Sequence, residues 1–188
     1  MYTLKYQYPH YFKIILVFSS VDVRAACTRV AEGVPGVFRD AVKQDAEALA
    51  TLIMSLCPRV PWLTLSTEIA GSNSCSRWHQ DNYVGRAIIT YTGPGTWAVD
   101  DKSVCFDQID CTLNLPTDAS NRAVVPRFES IHRAPTNSVL LIKGKHWPGI
   151  RGIGLTHKSP DVHKDVKGKP ECLRFVLKVD LSMEFTLV

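Results

Sequence analysis

The hydrophobic period of this chain changes once, at Pro58, and that change limits the folds open to it. Before the proline, Phe38, Val42, Leu49, Leu52, Ile53 and Leu56 recur at three- and four-residue steps, with Arg39, Lys43, Gln44, Glu47 and Thr51 between them. That spacing predicts an amphipathic helix over residues 38–57, packed against a sheet and ended by the proline. After it the period is two, because Leu63, Leu65 and Ile69 alternate with Thr64, Ser66 and Glu68. Residues 77–81, 86–91, 96–99, 104–106 and 138–143 follow as short strands. Gly93-Pro94-Gly95 is a turn between them, 115–126 a polar loop, and 149–154 a glycine-rich loop. The last strand, 173–179, carries Leu173, Phe175, Leu177 and Val179 on one face and Arg174, Val176 and Lys178 on the other. One or two leading helices and many short strands predict a mainly β fold with flanking helices, a sandwich or a barrel.

At 188 residues the chain can bury a core without staples, and 45% hydrophobic with 21% charged residues is ordinary globular composition. Residues 37–188 read as one domain and 1–36 as an N-terminal extension. A net charge of +4, with no dense basic run, gives no indication of nucleic acid. Cysteines 27, 57, 75, 105, 111 and 172 form no C-x-x-C pair. They are read as mostly reduced thiols in an intracellular, cytoplasmic protein, with disulfides as the alternative. The apolar stretch within 11–23 is too short to span a bilayer and is read as a buried strand. A signal peptide is the other reading.

The chemistry concentrates in Trp78-His79-Gln80-Asp81. On a strand, His79 and Asp81 would project to one face, and a second histidine from a later strand would complete two imidazoles and a carboxylate around a metal. His157, after the apolar strand 138–143, is the preferred third ligand, with His132 and His146 as alternatives. The alternative for His79 and Asp81 is a hydrogen-bonded surface or core pair without a metal. Cys75 shares their parity and is either a fourth ligand, closing a tetrahedral zinc site, or a small buried hydrophobe. Arg86 and Tyr91 flank the next strand and either contact an acid or serve packing. Trp78 and Trp147 are core or pocket walls. Gly93-Pro94-Gly95 lacks the frame of a phosphate loop, and no serine-nucleophile elbow is present.

The order of an apolar strand, then Leu155-Thr156-His157-Lys158-Ser159-Pro160, then Leu173-Arg174 with its strand, resembles the C-terminal half of Fe(II)/2-oxoglutarate-dependent dioxygenases. That resemblance implies a double-stranded β-helix (jelly-roll, cupin-like). It also implies Fe(II) on His79, Asp81 and His157, and 2-oxoglutarate gripped by Arg174, with Arg86 and Tyr91 as further contacts. Pairing of Arg174 with Asp180 or Glu171 is the structural alternative. A second set of residues comprises Phe38-Arg39-Asp40, Cys75-x-x-x-His79-x-Asp81, Arg86, Thr90-Tyr91-x-Gly93-Pro94-Gly95-Thr96, Lys143-Gly144, Trp147-Pro148-Gly149 and His157-Lys158-Ser159-Pro160. This set resembles an uncharacterised family of bacterial and algal proteins, a domain of unknown function, over about residues 37–181. That resemblance implies metal binding, with some bacterial members among zinc-homeostasis genes. It sets a non-catalytic Zn2+ protein of metal homeostasis beside the oxygenase. The substrate, a small molecule or a side chain, is not named by either. A homodimer through a sheet edge is compatible with both, and a membrane is not expected.

Overall fold

The computed structural model describes residues 11–17, 23–70, 75–150, 152–161 and 173–183. Glu171 and Cys172 lie outside them. A five-stranded antiparallel sheet has the order β1-β2-β8-β3-β6, from Tyr11–Val17 (β1), Trp62–Ala70 (β2), Gly85–Thr92 (β3), Val139–Lys143 (β6) and Arg174–Ser182 (β8). Trp97–Val99 (β4), Ile131–Arg133 (β5) and Thr156–Lys158 (β7) make a smaller antiparallel sheet, β5-β4-β7. Two helices, Val23–Glu32 (α1) and Gly36–Leu56 (α2), accompany the large sheet. Asp107–Cys111 (α3) and Thr117–Val124 (α4) accompany the small one.

The alternation predicted along β2 and β8 sets up two faces. Leu63 and Leu65 lie opposite Leu181 and Val179, and with Leu177, Ala87 and Ile89 they meet the buried stripe of α2. That stripe is Val42, Ala46, Leu49, Ala50 and Ile53, so two alanines complete it, while Phe38, Leu52 and Leu56 are exposed. Alanine allows a helix to sit close on a sheet, which is why the small side chains take these positions. The opposite face carries Arg86, Ile88, Ile142, Arg174, Val176, Lys178 and Asp180, and the small sheet lies over it.

The fold is therefore a mixed α/β arrangement of two open antiparallel sheets with flanking helices. The sheets are separate, and among the described residues no strand joins them into a closed barrel. Three local readings explain the difference from a mainly β chain. Residues 77–81 contribute one isolated bridge rather than a strand, 104–106 is a turn, and the polar loop 115–126 contains α4. Proline 116 before α4 and Asp118 in its first turn are helix-start signals outweighed by the polar composition. Residues 11–17 do form a strand, paired along β2 from Tyr11↔Glu68 to Val17↔Trp62. The cysteines at 27, 57, 75, 105 and 111 are free thiols, and burial pushes Cys27 up to about 11. No helix among the described residues is long and apolar enough to cross a membrane.

Candidate metal centre

His79 and His157 face each other across the isolated bridge. Each backbone N–H donates to the other's carbonyl at 3.0 Å, which fixes the pair in register. Their rings stand 4.5 Å apart between centroids. β7 is held in turn by β4, where Ala98 pairs with His157. Among the described residues no strand lies along the other edge of residues 76–78. The buried amide of Asn121 on α4 substitutes for one: it accepts from Trp78 N–H at 3.0 Å and donates to the Ser76 carbonyl at 2.9 Å. Two residues on, Asp81 turns into the same space, and its carbonyl accepts from Lys145 N–H at 2.9 Å. His79, Asp81 and His157 thus bring one ligand atom each to within 4.8 Å of one another.

The protonation of both imidazoles follows from their neighbours. Nδ1 of His79 lies 2.8 Å from the Arg77 carbonyl, and Nδ1 of His157 lies 3.0 Å from the Leu155 carbonyl. A carbonyl can only accept, so each Nδ1 carries a hydrogen and Nε2 is the nitrogen of each ring turned toward Asp81. Those Nε2 atoms stand 3.7 Å and 3.5 Å from Asp81 Oδ1 and Oδ2 respectively. Burial lowers the His157 imidazolium to about 4; Asp81 opposes the fall and His79 adds to it. The ring is therefore neutral near pH 7, the form a metal needs.

Asp81 is 7% exposed, and its Oδ2 has no hydrogen bond. Arg86 Nη1 is 2.9 Å away, an ion pair whose angle does not make a hydrogen bond. A buried carboxylate oxygen left in this state, facing two imidazole nitrogens, is a site that could hold a metal cation. Zn2+, for example, takes His nitrogen and carboxylate oxygen at roughly 2.0–2.2 Å. Three protein ligands would leave coordination positions open on such an ion.

A cleft between the sheets passes the centre. Arg174, His79, His157, Arg86, Ser159 and Lys178 all line it, with Ile88, Ile142 and Val176 as its apolar wall. Arg174 is 2% exposed and donates to the hydroxyls of Ser159, Thr90 and Thr96 at 3.0, 3.2 and 3.0 Å. Arg86 also reaches the cleft, but its Nε and Nη2 form a fork on Asp180 at 2.6 and 3.1 Å. Burial works against its charge, and Asp180 and Asp81 outweigh that, so its pKa is raised. Lys178 pairs with Glu68 across β2 and β8 in the same cleft.

Other sequence-selected residues lie elsewhere. Cys75 is exposed, with φ of 51°, so the strand assumed to align it with His79 is absent. It borders the cleft, and its sulfur falls outside the group of three ligand atoms. His132 is exposed, 3.5 Å from Asp100, and His146 contacts Asn82 Oδ1 at 3.1 Å. Trp78 is buried on the reverse of the small sheet with Val99, Val124 and Val125. Tyr91 points to the helix side of β3, where its hydroxyl donates to Asp45 Oδ2 at 2.8 Å and its ring stacks on Phe175. Burial, then the bond to Asp45, raises its phenol pKa. Tyr91→Phe is expected to cost about 1 kcal/mol in urea unfolding. Its metal and acid affinities should match those of the unaltered protein, and a change in either would place Tyr91 at the centre.

Asn121 and Asp180 are among the site residues that the sequence reading did not assign to the centre. Neither has a motif of its own, because their roles depend on which chain segments meet.

Comparison with known proteins adds family membership and no activity. No curated protein matches the chain. A family described as "Protein of unknown function (DUF1826)" matches residues 7–180, which takes in β1, all three metal-facing residues and Arg174. The match covers almost the whole sequence, so the chain belongs to the DUF1826 family, whose function is unknown.

Proposed function

We propose that this protein is a non-haem Fe(II) oxygenase that uses 2-oxoglutarate, with His79, Asp81 and His157 as ligands. The observation that carries the reading is the convergence of two oriented Nε2 atoms on a buried carboxylate whose Oδ2 has no hydrogen bond. Two further observations support it. The small sheet lies over one face of the large one and is extended at β7 by the His79 bridge, an arrangement compatible with an opened jelly roll. Arg174 lies on the strand after β7 and faces the cleft with hydroxyls around its guanidinium.

When bound, Fe(II) would couple oxidation of the 2-oxo acid by dioxygen to attack on a substrate C–H bond. This chain's residues supply the surroundings. Arg174 would attract the far carboxylate of the 2-oxo acid by its charge, and Thr90, Thr96 and Ser159 orient its guanidinium. Ile88, Ile142 and Val176 exclude water along the cleft. The Arg77 and Leu155 carbonyls keep both histidines in the ligating tautomer.

The test is metal content of protein purified without oxygen, followed by 2-oxoglutarate titration monitored in the visible range. One equivalent of iron and a charge-transfer band on adding 2-oxoglutarate are expected, with Cys75→Ala unchanged in both. Tightly held zinc, no band, and loss of metal in Cys75→Ala would overturn the oxygenase reading in favour of a zinc-homeostasis role.

A further inference from the structure

Arg86 has three nitrogens and two carboxylates within reach, and the way it divides between them bears on the metal. Its Nε and Nη2 are both on Asp180, while Nη1 stands 2.9 Å from Asp81 Oδ2 without forming a hydrogen bond. The side chains are 8% exposed at each carboxylate and 12% at the arginine, so water does little of the sharing. β3 and β8 set the division: Arg86 and Asp180 are directly paired residues in that ladder, whereas Asp81 arrives from a loop.

We infer that Asp180 is a positioning residue that holds Arg86 back from Asp81 and so keeps the Asp81 carboxylate available to a metal. An arginine fork and a metal ion compete for the same carboxylate lone pairs. With Asp180 present, the fork is engaged and Arg86 offers Asp81 only its charge. Without Asp180, rotation of the guanidinium about its last bonds would bring the fork onto Asp81. The inference rests on the metal-centre reading above and extends it to a residue outside contact with the ion.

The competition gives a result that simple damage to the fold does not. Co2+ is the probe, measured by competition with a chromophoric chelator at constant pH, with circular dichroism as the check on folding. Asp180→Asn is expected to weaken Co2+ binding about tenfold or more, in the range of losses from residues behind metal ligands. Asp180→Asn combined with Arg86→Gln is expected to recover affinity to within about threefold of the unaltered protein, because the competitor is gone. If Asp180→Asn fails to fold, Arg86→Gln alone decides: equal or tighter binding supports the inference, and weaker binding overturns it. Unchanged affinity in Asp180→Asn, or a double variant as weak as the single one, also overturns it. Failure of the unaltered protein to bind Co2+ would instead sink the metal centre itself.

Discussion

His157→Ala is expected to lower affinity for a divalent ion at least about a hundredfold while leaving the protein folded. Losses of 10–100-fold follow changes behind a metal ligand, so removing a ligand should reach or exceed the upper end. The substitution removes one of three donors and the imidazole that burial keeps neutral and ready to bind. It leaves the backbone bonds between residues 157 and 79, since these are N–H to carbonyl in both directions at 3.0 Å. What the fold loses is the Nδ1 bond to the Leu155 carbonyl and the packing of a ring 3% exposed. A cost of about 1–3 kcal/mol to the metal-free protein follows. Chelator competition reads the affinity and urea unfolding the stability. His132→Ala and His146→Ala are the controls, and both should bind as the unaltered protein does. Retained affinity in His157→Ala, or an equal loss in His146→Ala, would mean that the centre is assembled differently.

The sequence makes faces legible and leaves neighbours hidden. Alternation along β2 and β8 correctly separates the leucine–valine face from the Arg174–Val176–Lys178 face, because period two is a property of one strand. The H-x-D spacing also works, although 77–81 is not a strand, since the bridge at His79 and the turn after it bring Asp81 back to the same space. Parity alone would have separated Arg86 from Tyr91, five residues apart on one strand and so on opposite faces. It also puts Arg174 and Asp180 on one face of β8, six residues and roughly 20 Å apart, too far to pair. What parity does not contain is register. That Arg86 lies opposite Asp180 depends on how β3 slides against β8, and register is set by the whole sheet. Cys75 fails for the opposite reason: the alternation argument needs extended backbone from 75 to 81, and a φ of 51° interrupts it. Asn121 depends on a helix meeting a strandless edge, which no periodicity announces.

Gly144→Ala is expected to be among the most damaging single-methyl changes at the described glycines. A Cβ at this position would stand 2.0 Å from the Tyr83 carbonyl oxygen, 2.7 Å from its carbon and 3.2 Å from the Asp81 oxygen. All three are backbone atoms, so no side chain can rotate away. The backbone there is also tied down, because Gly144 N–H donates to Val84, Lys145 N–H to Asp81 and His146 N–H to Tyr83. Making room separates residues 81–84 from 144–146 and moves Asp81 with them. A loss of at least about 3 kcal/mol follows from overpacking of this kind. For a chain of this size that lowers the melting temperature by roughly 6–12 °C. Metal affinity should fall with it, since the carboxylate ligand sits on the displaced turn. Gly36→Ala is the contrast: nothing lies within 4 Å of its Cβ position at the first residue of α2, and a gain of about 0.4–1 kcal/mol is expected. Differential scanning calorimetry of both variants, with and without Co2+, measures the pair. A Gly144→Ala protein that melts with the parent and binds Co2+ equally well would show that the 144–146 turn does not hold Asp81 in place. The expected loss of both would give the Lys143-Gly144 motif its physical reason, a backbone contact too close for any side chain.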